Sequence, residues 1–321
     1  MAKPLYKHLL IRGEIEKAIL PSKVDLIVTS PPYGIGKNYE CFQSLEDHTK
    51  WIETIVPILR NHLNPNGAIC WQVGPHLDKN GDYMPLDIIH VPIFRNNGFS
   101  LKNRIIWKFG SGLHYNSRLS GRYEVMLWFV LNLDAYTFNL DPIRIASKYP
   151  GKTSYKGPKR GKLSGNPLGK NPSDVWTIII KEWERAEWDF PNVKSSHIEK
   201  VKTHPCQFPI ELAERCILAF SDEGDTILDP FVGTGSTGCA AAFHGRLFIG
   251  VDTNSAFIEI ARQRILEAEG GTLKTRKIGT PIQTISNTAK RKQIPHEWKQ
   301  IRDEQAKKRR LYKQYKKEDQ E

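Results

Sequence analysis

Cysteine is scarce and irregularly spaced in this sequence of 321 residues. The five cysteines are odd in number, lie far apart and form no Cys-x-x-Cys pair. A disulfide framework and a cysteine zinc site are therefore not expected, and we predict no metal. Most of the cysteines should be small buried apolar side chains. They are Cys41, Cys70, Cys206, Cys216 and Cys239.

Long apolar runs are also missing. No uninterrupted run approaches the ~20 apolar residues that a membrane-spanning helix needs. The first residues, Met-Ala-Lys-Pro-Leu-Tyr-Lys, lack the apolar core of a signal peptide. With 39% apolar residues and eight tryptophans, the chain can bury a sizeable core. We therefore expect a globular, cytoplasmic protein with no membrane association.

Acidic residues are absent from one segment and sparse in another, although the chain carries a net charge of +12. Residues 148–170 hold seven basic residues and no acidic one. Residues 271–321 hold 15 basic residues against six acidic ones. Such clusters suit a polyanion such as nucleic acid. A solubilising surface with a solvated basic tail is the alternative explanation of the charge alone.

Apolar runs and turn signals predict an α/β fold. In the second half of the chain two strands alternate with two helices, which is typical of a parallel sheet. A turn is expected at 64–67. The predicted strands are 9–11, the start of 24–33, 68–73, 104–108, 124–131, 227–228 and 247–251, and the predicted helices are 15–20, 46–63, 85–98, 208–220, 235–244 and 255–269.

Two regions depart from this alternation. Strands 104–108 and 124–131 have no clear helix between them, so we expect an antiparallel pair at a sheet edge. Residues 140–200 are rich in Gly, Pro, Lys, Asn and Ser, which indicates an irregular insertion. Its tryptophans, Trp176, Trp183 and Trp188, should mostly pack within it. The predicted fold is a doubly wound, mostly parallel sheet with an antiparallel edge hairpin and an insertion.

The stretch 24–33 reads Val-Asp-Leu-Ile-Val-Thr-Ser-Pro-Pro-Tyr and is the strongest candidate for catalysis. Its apolar start resembles a buried strand, and Pro31-Pro32 must end that strand. Ser30 and Tyr33 then lie at the carboxyl end of a strand, where open α/β sheets bind ligands. The Ser30 hydroxyl, the Pro31 carbonyl and the Tyr33 ring suit a planar base with an exocyclic amine. A rigid turn with a packed tyrosine is the alternative.

A second motif, Asp-Pro-Phe-Val-Gly-Thr-Gly-Ser-Thr-Gly at 229–238, follows a strand and opens a helix. Its glycines permit a tight turn and close approach to a ligand. Asp252 ends the next strand, where a carboxylate can hold a ribose diol. Gly-x-Gly-x-x-Gly with an Asp 19 residues beyond Gly233 also fits a nicotinamide dehydrogenase. However, an acidic Asp229-Pro230 would repel a pyrophosphate and suits a cationic ligand.

Together the two motifs resemble those of DNA amino-methyltransferases of the restriction–modification type. Asp-Pro-Phe-x-Gly-x-Gly with Gly250-Val251-Asp252 is similar to the S-adenosylmethionine site of that family, and Thr-Ser-Pro-Pro-Tyr to its catalytic motif. The catalytic motif comes first, as in the permuted β class. Three further segments agree: Gly13-Glu14, Arg122-Tyr123-Glu124 and His204 to Pro209.

The resemblance implies an S-adenosylmethionine-dependent, Rossmann-like methyltransferase that acts on a flipped base in double-stranded DNA. Ser30, Pro31, Pro32 and Tyr33 would be catalytic. The cofactor would be held by Asp229, Pro230, Phe231, Gly233, Gly235, Asp252, His204, Phe208, Glu14 and Thr29. Residues 1–139 and 201–270 would form the two halves of the methyltransferase domain, 140–200 the target-recognition insertion, and 271–321 a basic tail.

The methylated amine and the partners follow from the resemblance too. Ser at the first motif position favours cytosine N4, with adenine N6 as the alternative. A cognate restriction endonuclease is a candidate partner, the protein would be a monomer or homodimer, and the cell would be prokaryotic or a phage-infected host. Cys206, in a Pro-Cys-Gln triplet, resembles the nucleophile of cytosine-C5 enzymes, but it precedes the glycine loop instead of following it. Glu14 stands where the family usually has Asp.

Other activities stay open from the sequence alone. A catalytically silent DNA-binding module is disfavoured because the Ser-Pro-Pro-Tyr motif and the glycine loop are both complete. Methylation of RNA or of a protein glutamine uses a similar Pro-Pro-Tyr motif, usually with Asn in front. The long basic insertion favours DNA over these substrates.

Overall fold

A computed structural model describes residues 7–34, 44–78, 80–108, 116–176, 199–201 and 207–275. Its strands are β1 (His8–Arg12), β2 (Val24–Thr29), β3 (Leu63–Val73), β4 (Pro75–Leu77), β5 (Tyr83–Pro85), β6 (Ser100–Lys108), β7 (Tyr123–Val130), β8 (Val175–Trp176), β9 (Thr226–Asp229) and β10 (Leu247–Asp252). Its α-helices are α1 (Leu45–His62), α2 (Leu86–Asn96), α3 (Ile210–Phe220), α4 (Ser236–Phe243) and α5 (Ser255–Glu269).

The main sheet of the described residues has the strand order β1-β10-β9-β2-β3-β7-β6-β8. The five strands from β1 to β3 in this order run parallel. β2 lies in the middle and joins strands from the two halves of the chain. Five of its six residues are buried, because an inner parallel strand is covered on both faces. The mostly parallel sheet predicted from the sequence is confirmed.

Helices cover both faces of the sheet. On one face α3, α4 and α5 pack against alternate strand residues such as Leu26 and Val28. On the other face α1 and α2 pack against the intervening residues, such as Ile27 and Ile69. The two faces follow from the two-residue alternation of side chains along a strand. The sheet is therefore doubly wound, as predicted.

The antiparallel part of the sheet forms as expected. β7 pairs antiparallel with β3 and with β6. The short β8, from the predicted insertion, adds to β6 in parallel. Trp176 in β8 is buried, and Ile143 and Ile145 of the insertion also enter the core beside α3. Trp183 and Trp188 lie outside the described residues.

The predicted helix 15–20 is wrong. Here the backbone makes only two successive turn hydrogen bonds, from Lys17 N to the Glu14 oxygen and from Ala18 N to the Ile15 oxygen. Six residues ahead of Pro21 are too few to offset the cost of starting a helix. The predicted turn at 64–67 lies within the first part of β3, where the register against β2 shifts.

Both proline-containing helices form. α1 continues through Pro57 and α2 through Pro92. Apolar residues on one face of each helix are buried against the sheet, which offsets the hydrogen bond that each proline removes. Within the part of the chain that the structure describes, no helix combines the length and apolar content needed to cross a membrane.

Candidate active site

The two sequence motifs meet where β2 and β9 end. These strands are parallel neighbours, with Ile27 opposite Leu228. β2 ends at Thr29 and β9 at Asp229. The Thr29 hydroxyl donates a hydrogen bond to Asp229 Oδ1 at 2.6 Å. The Ser-Pro-Pro-Tyr segment and the glycine loop therefore leave the sheet side by side at its carboxyl edge.

The segment from Ser30 to Tyr33 is firmly held. Pro31 is buried, Ser30 and Pro32 are half-buried, and Tyr33 exposes 8% of its surface. Ser30 Oγ lies 3.3 Å from Tyr33 Oη. The Tyr33 carbonyl oxygen lies 3.0 Å from Nδ1 of the buried His76. The Ser30 hydroxyl is thus half-buried at the rim, beside a tyrosine fixed at both its backbone and its ring.

Two side chains behind Tyr33 were missed by the sequence-based prediction of the site. The Tyr33 hydroxyl donates to Gln72 Oε1 at 2.9 Å, and the Gln72 amide nitrogen donates to Glu124 Oε2. Gln72 and Glu124 lie on the neighbouring strands β3 and β7. In the sequence, Glu124 is noted only as part of the segment Arg122-Tyr123-Glu124, which agrees with the family pattern. Gln72 is noted only as a member of the predicted strand 68–73. Their role depends on the strand order, which local sequence does not reveal.

A buried histidine cluster lies on the same side of the sheet. Trp71 Nε1 donates to His90 Nδ1 at 2.9 Å, and His90 Nε2 lies 3.3 Å from His48 Nε2. The His48 ring stacks on His76, with 6.1 Å between centroids. Burial lowers the pKa of His48 to about 4 and that of His90 to about 3. Both are therefore neutral near pH 7 and form part of the packing around His76.

The glycine loop between β9 and α4 has the backbone that its sequence predicts. Gly233 and Gly235 have φ angles of 48° and 78°, in the left-handed region that glycine adopts without strain. A Cβ on Gly235 would lie 2.9 Å from the Ala261 side chain. The loop therefore packs closely on α5 and brings its amides to the end of β9.

Asp252, at the end of β10, holds this loop. Its Oδ2 accepts from the Gly233 amide at 2.9 Å and its Oδ1 from the Asn254 amide at 2.9 Å. The Gly13 amide donates to the Asp252 carbonyl at 2.9 Å. Burial raises the pKa of Asp252. The ends of β1, β9 and β10 are thus neighbours, which brings Gly13-Glu14, the glycine loop and Asp252 together at one edge of the sheet.

Asp229 is deeply buried at the site, with 1% exposed. Its Oδ1 accepts from Thr29 and from the Phe231 amide, while its buried Oδ2 has no hydrogen-bond partner among the described residues. The Thr237 hydroxyl donates to the Val28 carbonyl, and it also lies close enough to Asp229 to lower the pKa of that carboxyl group, as Thr29 does. Burial raises the pKa of Asp229 to about 6. A buried acceptor without a donor is costly, so the site suits a ligand that brings a positive charge or a donor.

The other predicted cofactor residues are placed differently. Pro230 is buried, and the half-buried Phe231 ring packs on Trp51 with 5.5 Å between centroids. The Phe208 carbonyl accepts from the Ser236 hydroxyl at 3.0 Å, at the start of α4. The exposed Glu14 pairs with Lys17 at 2.5 Å. His204 lies outside the described residues.

The basic loop, residues 148–170, is mostly exposed. Ile145 and Lys170 close its base through two backbone hydrogen bonds of 3.0 and 2.8 Å. Within it, Ser154 N donates to the Lys162 oxygen at 2.9 Å. All seven of its basic residues are exposed, and so are Tyr149 and Tyr155. Residues 276–321 of the basic tail lie outside the described residues.

The described cysteines confirm their predicted burial. Cys70, Cys216 and Cys239 are free and buried, whereas Cys41 and Cys206 lie outside the described residues. Burial raises the pKa of the Cys239 thiol to about 12, so this thiol is not a thiolate near pH 7. Among the residues that the structure describes, no group of three His, Cys, Asp or Glu side chains is arranged to hold a metal ion.

Comparison with known proteins gives matches along most of the chain. The sequence model of the DNA methylase family matches residues 24–263. The type II methyltransferase M.BglII of Bacillus subtilis is 42% identical over 77% of this chain, and the match spans 65% of its own length. The type II methyltransferase M.ScaI of Streptomyces caespitosus is 35% identical over 85% of this chain and 86% of its own. The DNA adenine methyltransferase YhdJ of Escherichia coli is 30% identical over 78% of each chain.

Solved structures share the fold. The cytosine-N4-specific PvuII DNA methyltransferase superposes with a TM-score of 0.60 at 17% identity, over 84% of this chain and 95% of its own. A DNA modification methylase of Thermus thermophilus, complexed with S-adenosylmethionine, gives 0.54 at 23% identity, over 82% and 97%. At these identities the likeness concerns the fold.

Proposed function

The chain belongs to the DNA methylase family, and from that premise we propose that it methylates the exocyclic N4 of cytosine in double-stranded DNA. The methyl donor is S-adenosylmethionine. The observation that carries the proposal is the hydrogen bond between Thr29 and Asp229, because it joins the candidate catalytic segment to the candidate cofactor loop. A methyl donor beside Asp229 and a base beside Ser30 would then be neighbours at one sheet edge.

The residues at the ends of β9 and β10 fit S-adenosylmethionine. The buried Oδ2 of Asp229 lacks a donor within the described part of the chain, and a carboxylate there suits an ammonium or sulfonium better than a phosphate. Gly233 and Gly235 allow the backbone to approach a ligand closely. Asp252 would accept from the ribose while it holds Gly233. When bound, the cofactor supplies an electrophilic methyl group.

Further residues would complete the cofactor site. Phe231 and Pro230 would pack on it, and Thr29 would keep Asp229 in place. Glu14 follows Gly13, which bonds to Asp252, so it would reach the adenine end in place of the usual Asp. His204 and Phe208 would flank the site from the segment before α3.

Ser30, Pro31 and Tyr33 would bind the target amine. A half-buried hydroxyl and the carbonyl of Pro31 would accept its two hydrogens, and the Tyr33 ring would lie against the base, with Pro32 keeping the turn rigid. Because both N–H groups are held, the nitrogen lone pair is left to point away from them. Catalysis would thus come mainly from positioning.

The target amine lies inside the base stack of duplex DNA, so the base must flip out at a cost of a few kcal/mol. Phosphate contacts from Lys and Arg would offset that cost. The exposed basic residues of the basic loop, which belongs to the insertion 140–200, would supply such contacts. The basic tail 271–321 would add to them.

Adenine N6 is the second candidate target. Ser30 at the first position of the motif favours cytosine N4 by its resemblance to the family pattern. A relative named as a DNA adenine methyltransferase is 30% identical, which favours the alternative. Either amine offers two N–H donors, so the acceptors at Ser30 and Pro31 suit both. A cognate endonuclease and a monomeric or dimeric state are further proposals.

Direct identification of the product tests the proposal. The purified protein is incubated with methyl-labelled S-adenosylmethionine and unmethylated duplex DNA of random sequence, and the DNA is digested to nucleosides for mass spectrometry. We expect labelled N4-methylcytosine. Labelled N6-methyladenine would favour the second candidate. Labelled 5-methylcytosine, or no label in any nucleoside, would contradict both candidate targets. The matched control is Ser30→Ala, which should give far less label in the same time.

A further inference from the structure

Four side chains form a hydrogen-bonded chain that ends at Ser30. Glu124 on β7 accepts from the amide nitrogen of Gln72 on β3. The Gln72 carbonyl oxygen accepts from the Tyr33 hydroxyl at 2.9 Å, and Tyr33 Oη lies 3.3 Å from Ser30 Oγ. Gln72 is 2% exposed and Tyr33 8%. This set of four side chains, the acceptor relay, runs from the half-buried start of β7 to the candidate catalytic hydroxyl.

The direction of every hydrogen bond in the relay follows from its first member. A carboxylate accepts hydrogen bonds and donates none, so the Gln72 NH₂ group must face Glu124 and its carbonyl must face Tyr33. A phenol has one hydrogen, and Tyr33 gives it to Gln72. The bond between Tyr33 and Ser30 must then run the other way, with Ser30 donating and Tyr33 accepting.

We propose that Gln72 and Glu124 are positioning residues that fix the Ser30 hydroxyl as a hydrogen-bond acceptor. The inference rests on the proposed function and adds the reason why a serine can serve there. A free hydroxyl can donate or accept. If Ser30 donated to the target amine, it would occupy the nitrogen lone pair that must attack the methyl group. The relay turns the hydroxyl hydrogen towards Tyr33 and leaves the oxygen lone pairs for the amine hydrogens.

The fold makes room for this arrangement. A Cβ on Gly74 would lie 2.9 Å from the Tyr33 ring and 3.3 Å from Glu124 Oε1. β3 and β7 pair with Val73 opposite Val125, which brings residues 74 and 124 close. In a buried network an unsatisfied polar atom is costly, so reversing one bond would disrupt its neighbours. The acceptor at Glu124 therefore fixes the direction of each hydrogen bond in the relay, including the bond that Ser30 donates to Tyr33.

A double-mutant cycle tests the inference. The rate of methyl transfer is measured in a single turnover, with DNA and cofactor saturating, for Ser30→Ala, Tyr33→Phe and the double variant. Tyr33→Phe keeps the ring and removes the relay. We expect it to slow transfer by about tenfold, the effect of ~1.4 kcal/mol in the barrier. In the Ser30→Ala background the same change should have no further effect, because the hydroxyl that it orients is gone.

Changes at Glu124 give an independent readout. Glu124→Leu should slow methyl transfer by about as much as Tyr33→Phe. Each change removes one hydrogen bond of the relay, and the expected loss of rate corresponds to the free energy of one such bond. Glu124→Gln should recover only part of the rate, because its amide can accept from Gln72 but can also donate and so no longer fixes the direction of the bond. Cofactor affinity, measured by calorimetry, should stay the same in all of these variants. Tyr136→Phe, which removes a hydroxyl from a tyrosine packed on the opposite face of the sheet, is the matched control.

The possible outcomes distinguish the relay from the methyltransferase activity. An unmodified chain that methylates no DNA would contradict the proposed function itself. An active chain in which Tyr33→Phe costs the same factor with and without Ser30 would contradict only the relay. The same holds if Glu124→Leu transfers the methyl group as fast as the unmodified chain. If Glu124→Leu does not fold, as judged by thermal unfolding, the Tyr33 cycle decides alone.

Discussion

Thr29 and Asp229 are 200 residues apart in the chain and 2.6 Å apart in space, where the Thr29 hydroxyl donates to the Asp229 carboxylate. The bond links the end of β2 to the end of β9, so each half of the candidate site depends on the other. It also stabilises the ionised form of a carboxyl group whose burial favours the protonated form. If the cofactor binds beside Asp229 as proposed, this balance sets the charge that it meets.

Cofactor binding should therefore depend on pH near the Asp229 pKa of about 6. A positively charged ligand prefers the ionised carboxylate, so the dissociation constant should fall as pH rises from 5 to 7.5. With a pKa one unit above pH 5, about a tenth of the molecules are ionised there, which predicts roughly tenfold weaker binding. Calorimetry at several pH values measures the midpoint. Thr29→Val should move it upwards, and Thr29→Ser should restore it.

The same group should make the cofactor-free protein less stable as pH rises. The folded pKa of about 6 lies above the ordinary value of 3.8, so the folded state binds the proton more tightly than the unfolded state. The bound proton therefore contributes to the free energy of unfolding below about pH 4. This contribution is lost between pH 4 and 6, which lowers the free energy of unfolding by up to ~3 kcal/mol. Asp229→Asn should remove this dependence and raise the unfolding free energy at pH 7.5, while it weakens cofactor binding. Equal pH profiles for both proteins in denaturant titrations would contradict the prediction.

Ser30→Ala should separate catalysis from cofactor binding. Removing the acceptor for the target amine should lower the single-turnover rate by at least about 100-fold, as loss of one well-placed polar group does in other sites. Cofactor affinity should stay near that of the unmodified chain, because the Ser30 hydroxyl lies against Tyr33 while Thr29 holds Asp229. Ser100→Ala, also at a half-buried position, is the control. Full residual activity would remove Ser30 from the mechanism.

Asp252→Ala should weaken cofactor binding in two ways. It removes the proposed ribose acceptor and releases the Gly233 amide, which Asp252 now holds at 2.9 Å. We expect the dissociation constant to rise at least about tenfold, the equivalent of ~1.4 kcal/mol. Asp252→Asn keeps one acceptor oxygen and should be affected less. An unchanged dissociation constant in the alanine variant would exclude the contact.

Neutralising the basic loop should change the salt dependence of DNA binding. In the variant Lys156→Ala/Lys159→Ala/Lys162→Ala, affinity should fall, and the slope of log K against log salt should become shallower by about 0.9 for each phosphate that is no longer neutralised. The matched control, Lys7→Ala/Lys23→Ala/Lys50→Ala, removes the same charge from exposed positions outside the basic loop and the basic tail. Fluorescence anisotropy at several salt concentrations compares the two. Identical slopes would mean that the loop is only a solvated surface.

Sequence alone predicted the elements whose signals are local. Two local signals located the strand ends that the structure brings together. They are the apolar run 24–29, which two prolines follow, and the glycine loop with Asp252. The short helix at 15–20 failed because a few apolar residues do not outweigh the cost of nucleation. Gln72 and His76 gave no local signal, since their partners come from the end of β2 and from β7 only after the sheet is ordered.

The pairing of β1 with β10 has a consequence for synthesis of the protein. Leu9 lies opposite Ile249, so the first strand must wait until about 240 residues have followed before its partner exists. Pairings between such distant residues form slowly, because a long loop has to close first. Gly13 and Asp252 meet at the end of that same pairing. Until β10 has been synthesised, the candidate site therefore lacks Asp252 and its contacts with Gly13 and Gly233.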